Sequence, residues 1–276
     1  MFTKLRLLFL AITLILVAGC GPNKVSLTDK PRLLHFSTPE TSGGWGNASA
    51  SISSSFLEPE YTFGTLSFSA FDPNNLTINE EYGGKDDGTL NLSLWVGLLE
   101  RLDFYLDSKT IVGLKYQLLG SPQTSKEKGL KLTFAAQFGL IRNNNRTDVF
   151  ASNDNISHAD STTKLLDFSS NVGYRYNSKN LVYLNTFLNR SSFSGRLYAD
   201  NFGLSRSVTE SSKSFGFLMG YQYTTDSDTF LILELGITRT IWDNRGVATA
   251  TPAGISYGGN WKTLFLFNAS STLIHH

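Results

Sequence analysis

Residues 89–120, TLNLSLWVGLLERLDFYLDSKTIVGLKYQLLG, restrict what this chain can fold into more than any other stretch. In a first pass Leu90, Leu92, Leu94, Val96 and Leu98 alternate with Asn91, Ser93, Trp95 and Gly97. After Glu100 and Arg101, Leu102, Phe104 and Leu106 oppose Asp103 and Tyr105. A third pass sets Val112, Leu114, Tyr116 and Leu118 against Gly113, Lys115 and Gln117. A period of two predicts strands, since successive side chains of a strand leave opposite faces. Three consecutive strands sharing one apolar and one polar face fit two architectures. A soluble sandwich turns the apolar face inward, and a membrane barrel turns it outward to lipid.

The same alternation predicts strands over residues 45–56, 61–71, 129–141, 166–176, 181–192, 214–223, 230–242 and 257–267, which makes eleven candidates. Aromatic residues suit strands: 20 Phe and 11 Tyr stand against 2 Met, and aromatics pack well on a pleated surface. Charged residues are 17%, below the roughly 25% of soluble domains. A net charge of +1 supplies no basic field for nucleic acid. One Cys excludes an internal disulfide framework and a Cys-rich metal site. The four His, at 35, 158, 275 and 276, are too scattered for a His-based metal centre. No metal and no cofactor are expected.

The chain starts MFTKLRLLFLAITLILVAGC. Lys4 and Arg6 precede an apolar run, the anatomy of an export signal. Its last residues, Val17, Ala18, Gly19 and Cys20, resemble the bacterial lipobox. That resemblance implies cleavage before Cys20 and acylation of its thiol with a palmitate-type chain. The expected organisation is a lipoprotein signal peptide over 1–19, the acylated Cys20 and a polar, Pro-containing tether over 20–44, and a β domain over 45–276.

Three features favour a barrel in lipid. Short turns at 99–101, 120–128, 177–180 and 224–228 alternate with polar stretches at 142–162, 194–213 and 244–256, which read as long loops; the short link at 107–110 is the exception. Membrane barrels alternate short periplasmic turns with long outer loops. Tyr174, Tyr176, Tyr221 and Tyr223 abut short turns while Trp242 and Tyr257 flank a long loop, as an aromatic girdle at each lipid boundary requires. The polar faces carry Lys115, Lys131, Asp167, Arg175 and Glu234 in mid-strand, where a barrel has its lumen. The expected fold is an all-β, antiparallel transmembrane β-barrel of about ten strands, with twelve or eight as alternatives. Periplasmic short turns place both termini in the periplasm and an acylated Cys20 in the inner leaflet.

As a pattern the mature chain resembles the outer-membrane β-barrel proteins of Gram-negative bacteria, in the subset exported with a lipobox. The resemblance implies residence in the outer membrane, anchored through Cys20, with loops outside the cell. Its partners are then outer-membrane lipid and, through the loops, an extracellular ligand or small solutes. Two functions fit: a structural or surface-interaction barrel with a mostly filled lumen, or a narrow porin-like channel. An enzyme is not expected. His158 and Asp160 superficially resemble the His/Asp pairing of the ten-stranded omptin proteases. A second acidic pair opposite is missing, since Asp148 and Asp154 lie in the same polar stretch. No nucleophile elbow, phosphate loop or metal-ligand spacing occurs.

Overall fold

A computed structural model describes residues 24–29, 38–69, 72–79, 83–108, 110–148, 156–199, 204–225, 229–243 and 261–274. The export signal, Cys20, Asp154, Tyr257 and the terminal histidines lie outside the described residues. Twelve strands are present among those described: β1 (Lys24–Asp29), β2 (Ala48–Ser69), β3 (Asp72–Asn79), β4 (Gly83–Leu99), β5 (Leu102–Asp107), β6 (Ile111–Leu119), β7 (Gly129–Asp148), β8 (Ile156–Arg175), β9 (Asn180–Ala199), β10 (Leu204–Thr224), β11 (Thr229–Asp243) and β12 (Trp261–Ile274). Each of β4 to β12 pairs antiparallel with its sequence neighbour, and β2 pairs with both β12 and β4. The pairing therefore returns on itself through ten strands and closes a barrel, leaving β1 and β3 as additions to β2. Closure removes the free edges that an open sheet would expose.

The wall has its polarity inside out relative to a soluble protein. Leu114, Tyr116, Phe134, Phe138, Phe168, Val172, Leu188, Met219 and Leu235 are exposed on the outer face. Lys115, Lys131, Thr133, Asp167, Asn171, Asn189 and Glu234, their neighbours in the alternation, are buried on the inner face. This excludes the sandwich with an apolar core. An outer surface this apolar is stable only against hydrocarbon, so the barrel is built to face lipid. Along β8 and the residue that follows it, the outer face of the belt runs from Leu166 to Tyr176, ten residue steps. At about 3.3 Å per residue and a tilt near 40°, that is about 25 Å, the height of a membrane barrel's apolar band.

Two readings of the sequence need correction. The polar stretches 142–162 and 194–213 are not long loops. The β7–β8 ladder runs without a break to the pair Asp148 and Ile156, and the β9–β10 ladder to Ala199 and Leu204. These strands of 20 or 21 residues are about twice the 9–11 needed to span a bilayer. They continue beyond the belt as a β-ribbon, wet on its outer side, so the apolar alternation ends while the hydrogen-bond ladder does not. Likewise, the candidates at 45–56 and 61–71 are one strand, β2. Residues 72–88, outside the predicted strands, contain β3 and the start of β4.

Candidate functional site in the barrel lumen

The short-turn end of the lumen is occupied by the chain's own segment 38–47, whose residues Thr38, Glu40, Thr41, Ser42 and Asn47 are buried. This is the end of the stretch expected to be a solvated tether; here it is a plug. It is held by the charged inner wall. Glu40 accepts two hydrogen bonds from the Arg175 guanidinium, Nε to Oε1 at 2.7 Å and Nη2 to Oε2 at 2.5 Å. This fork-on-fork geometry is the strongest that a carboxylate makes with a side chain. The Lys131 ammonium stands 3.5 Å from Glu40 Oε1 and donates to Ser121 in the β6–β7 turn. Lys115 donates to the Glu40 backbone carbonyl at 2.6 Å, lies 3.5 Å from Asp103, and rests 4.3 Å from the Trp95 ring centroid. Asp103 in turn accepts from the Ser42 amide at 2.8 and 3.0 Å and from its hydroxyl at 3.1 Å. Each of the three cations thus has a carboxylate or carbonyl oxygen of the plug or its wall as partner, as buried charges require.

Neutral contacts complete the seal. The Thr41 amide donates to Gln117 Oε1 at 2.8 Å, and the Gln123 amide donates to the Thr41 carbonyl at 2.9 Å. Gly43, Gly44 and Gly46 have φ of 98°, 99° and 89°, the left-handed region that glycine enters without a Cβ penalty. They turn the chain out of the lumen and back into β2. Gly97 of β4 lies against the Gly44 backbone, and a Cβ there would collide with it.

Higher in the lumen, Gln137, Asp167 and Asn189 share one register row across β7, β8 and β9, and Thr133, Asn171 and Asn185 share another. Nearer the short turns, the starts of β9 and β11 contribute an apolar cluster of Leu181, Tyr183, Phe230 and Ile232. The Tyr183 ring lies over Gly220, and its hydroxyl donates to Glu234 Oε1 at 2.6 Å. Toward the ribbon end, β1 enters the lumen. Leu27 packs over Gly195 against Phe193, and Asp29 Oδ1 accepts from the Thr163 hydroxyl at 2.7 Å. From β1 to Gly44 the chain therefore contacts the inner wall first at the ribbon end and then at the short-turn end.

The five charges singled out from the sequence fall into three places. Lys115, Lys131 and Arg175 meet at the plug, Asp167 sits in the amide row, and Glu234 lies under Tyr183. Glu40 and Asp103, which organise the site, were not among them. The pairing of Asp103 with Lys115 in the β5–β6 register was the available signal; nothing in the local sequence around Glu40 marks it. Tyr174, Tyr176, Tyr221 and Tyr223 are exposed on the outer wall near the short turns. Trp242 is in β11, with its side chain outside the described part of the structure. His158 and Asp160 are on strand β8, not in a loop. His158 stacks on Tyr198, ring centroids 4.8 Å apart, and the Tyr198 hydroxyl donates to Asp160 at 3.0 Å. Among the described residues no group of three His, Cys, Asp or Glu could hold a metal.

No protein-family model and no curated protein sequence matches the chain. Solved structures similar to it include Ail, the attachment invasion locus protein of Yersinia pestis, at 10% identity over 83% of this chain and 98% of that one, TM-score 0.29. Outer membrane protease OmpT from Escherichia coli is similar at 12% identity over 86% of this chain and all of that one, TM-score 0.35. Similarity this low decides neither fold nor role. The chain's own residues define a bilayer-facing antiparallel β-barrel whose segment 38–47 occupies the short-turn end of its lumen.

Proposed function

We propose that this protein is an outer-membrane lipoprotein barrel with a structural or surface-interaction role, its lumen closed by its own N-terminal segment. The observation that carries this is the Glu40 lock. A fully buried carboxylate in a bidentate pair with Arg175 ties the plug to the wall, so the resting barrel does not conduct. The surface it offers outside the membrane is the paired β7–β8 and β9–β10 ribbon, a rigid display for an extracellular ligand. Acylation of Cys20 supplies the anchor. Lys24 pairs with Ser67, far along β2 from the short-turn end, and only three residues separate it from Cys20. That is a reach of about 14 Å, which puts Cys20 on the ribbon side of the barrel rather than the short-turn side.

A porin-like channel is the second reading, favoured by the polar inner wall that the plug would expose on leaving. Planar-bilayer recording separates the two. The closed reading expects no steady conductance from wild-type protein, and steady small channels from it would establish the second. Heat-modifiable migration of outer-membrane extracts tests the barrel itself: a folded barrel resists SDS until boiled, whereas a tethered soluble domain shows no shift and is released by Cys20→Ala.

A further inference from the structure

The apolar belt ends abruptly on its ribbon side, and it ends on cations. Arg142 of β7, Lys164 of β8, Arg190 of β9, Lys213 of β10 and Arg239 of β11 all belong to the outward phase of the alternation. Each stands two residues beyond an outward apolar residue: Leu140, Leu166, Leu188, Phe215 and Ile237, respectively. The register joins them into a row. Lys213 is directly opposite Arg190, and Arg239 is opposite Phe215, one diagonal from Lys213. Arg190 is opposite Leu166, one diagonal from Lys164, and Arg142 is opposite Thr162, again one diagonal away. Diagonal neighbours are about 7–8 Å apart, and like charges facing each other across strands are destabilising. Among the described residues no carboxylate forms an ion pair with any of the five. The Arg239 Nε has no hydrogen-bond acceptor. The opposite edge of the belt carries neutral Tyr174, Tyr176, Tyr221 and Tyr223 instead. By the same register Asp160 is one diagonal from Arg142 and Asp243 one diagonal from Lys213. Lys164, Arg190 and Arg239 have no carboxylate among their neighbours in the described ladders, and these need anions from outside the protein, at the depth where lipid headgroups begin.

Directly beyond the row, Arg142 also lines a recess of about 430 Å³ with Asn144, Asp160, Thr162, Ser194 and Arg196. Amide, hydroxyl, guanidinium and carboxylate groups lining one hollow are suited to sugar hydroxyls. We propose that this rim is a binding collar for a phosphorylated glycolipid headgroup, with phosphates on the cation row and the sugar in the recess above it. The proposal rests on the reading that the apolar belt sits in a bilayer.

The test uses the full-length protein folded into three vesicle types: phosphatidylcholine alone, phosphatidylcholine with phosphatidylglycerol, and phosphatidylcholine with bisphosphorylated lipid A at matched charge. Lipid retained after detergent extraction is counted by native mass spectrometry. Wild type is expected to keep lipid A in preference to phosphatidylglycerol. The triple variant Lys164→Gln, Arg190→Gln, Lys213→Gln is expected to lose about a hundredfold in retention, at about a factor of five per basic residue. Ser194→Val with Asn144→Leu should abolish the preference for lipid A while leaving phosphate-dependent retention. Equal retention of both anionic lipids by wild type, or unchanged retention by the triple variant, overturns the proposal. A heat shift on the same samples reports insertion, and its absence from every vesicle identifies failure of the membrane reading instead.

Discussion

Replacing Glu40 by Ala tests the plug most directly. Glu40 and Arg175 are both fully buried, and their two hydrogen bonds are 2.7 and 2.5 Å long. Without the carboxylate, Arg175 keeps only the Ser178 carbonyl at 3.1 Å, and Lys131 keeps Ser121. Removing one partner of a buried pair costs about 3–5 kcal/mol, because the other charge stays desolvated. The plug can escape that cost by undocking, whereas the ten-strand ladder cannot. The loss therefore falls on plug docking, whose equilibrium constant drops by a factor of about 10² to 10⁴. Planar-bilayer recording should then show channels in Glu40→Ala that wild type lacks, with the heat-modifiable barrel intact. Arg175→Ala should behave similarly. In urea titrations of the refolded protein, the double variant should be less destabilised than the two single changes added together, with a coupling of about 1–3 kcal/mol. A silent Glu40→Ala barrel with coupling below about 0.5 kcal/mol would refute the lock.

Further outcomes follow from other parts of the wall. Val172→Arg places a charge near the middle of the belt and should destabilise the folded barrel by about 2–4 kcal/mol in bilayer refolding titrations, while Ser192→Arg on the wet ribbon should cost less than about 1. Gly220→Leu puts a side chain where the Tyr183 ring lies; loss of that packing and of the bond to Glu234 should cost about 2–4 kcal/mol in the same assay. His158→Ala removes a stacked ring on the ribbon surface and should leave any envelope hydrolysis unchanged, a loss of activity being the outcome that revives a protease reading. An epitope inserted between Cys20 and Lys24 should bind antibody on intact cells, and binding only after permeabilisation would place the anchor on the periplasmic side.

The wall was legible because its two solvents differ. Residues such as Leu132, Phe134 and Phe138 meet hydrocarbon while Lys131, Thr133 and Gln137 meet a polar interior, and that difference writes a period of two into the sequence. Where both faces are polar the period disappears. Residues 142–148 and 156–162 read as loop, yet they are strand, because the ladder between β7 and β8 needs backbone partners and not apolar side chains. The plug was illegible for a related reason. A lumen lined by Lys115, Lys131 and Arg175 is filled by polar chain, so Thr38, Glu40, Thr41 and Ser42 carry the composition of a linker although they are buried.

From its sequence alone this protein is a chain of amphipathic strands with apolar residues on one face, and local alternation determines that much because it is a property of neighbouring residues. Only the tertiary structure decides which face turns outward, that β2 closes on β4, that Glu40 reaches Arg175 across 135 positions, and that five cations on five strands share one rim. Those facts depend on register between distant strands, and register is set by the closed ladder as a whole.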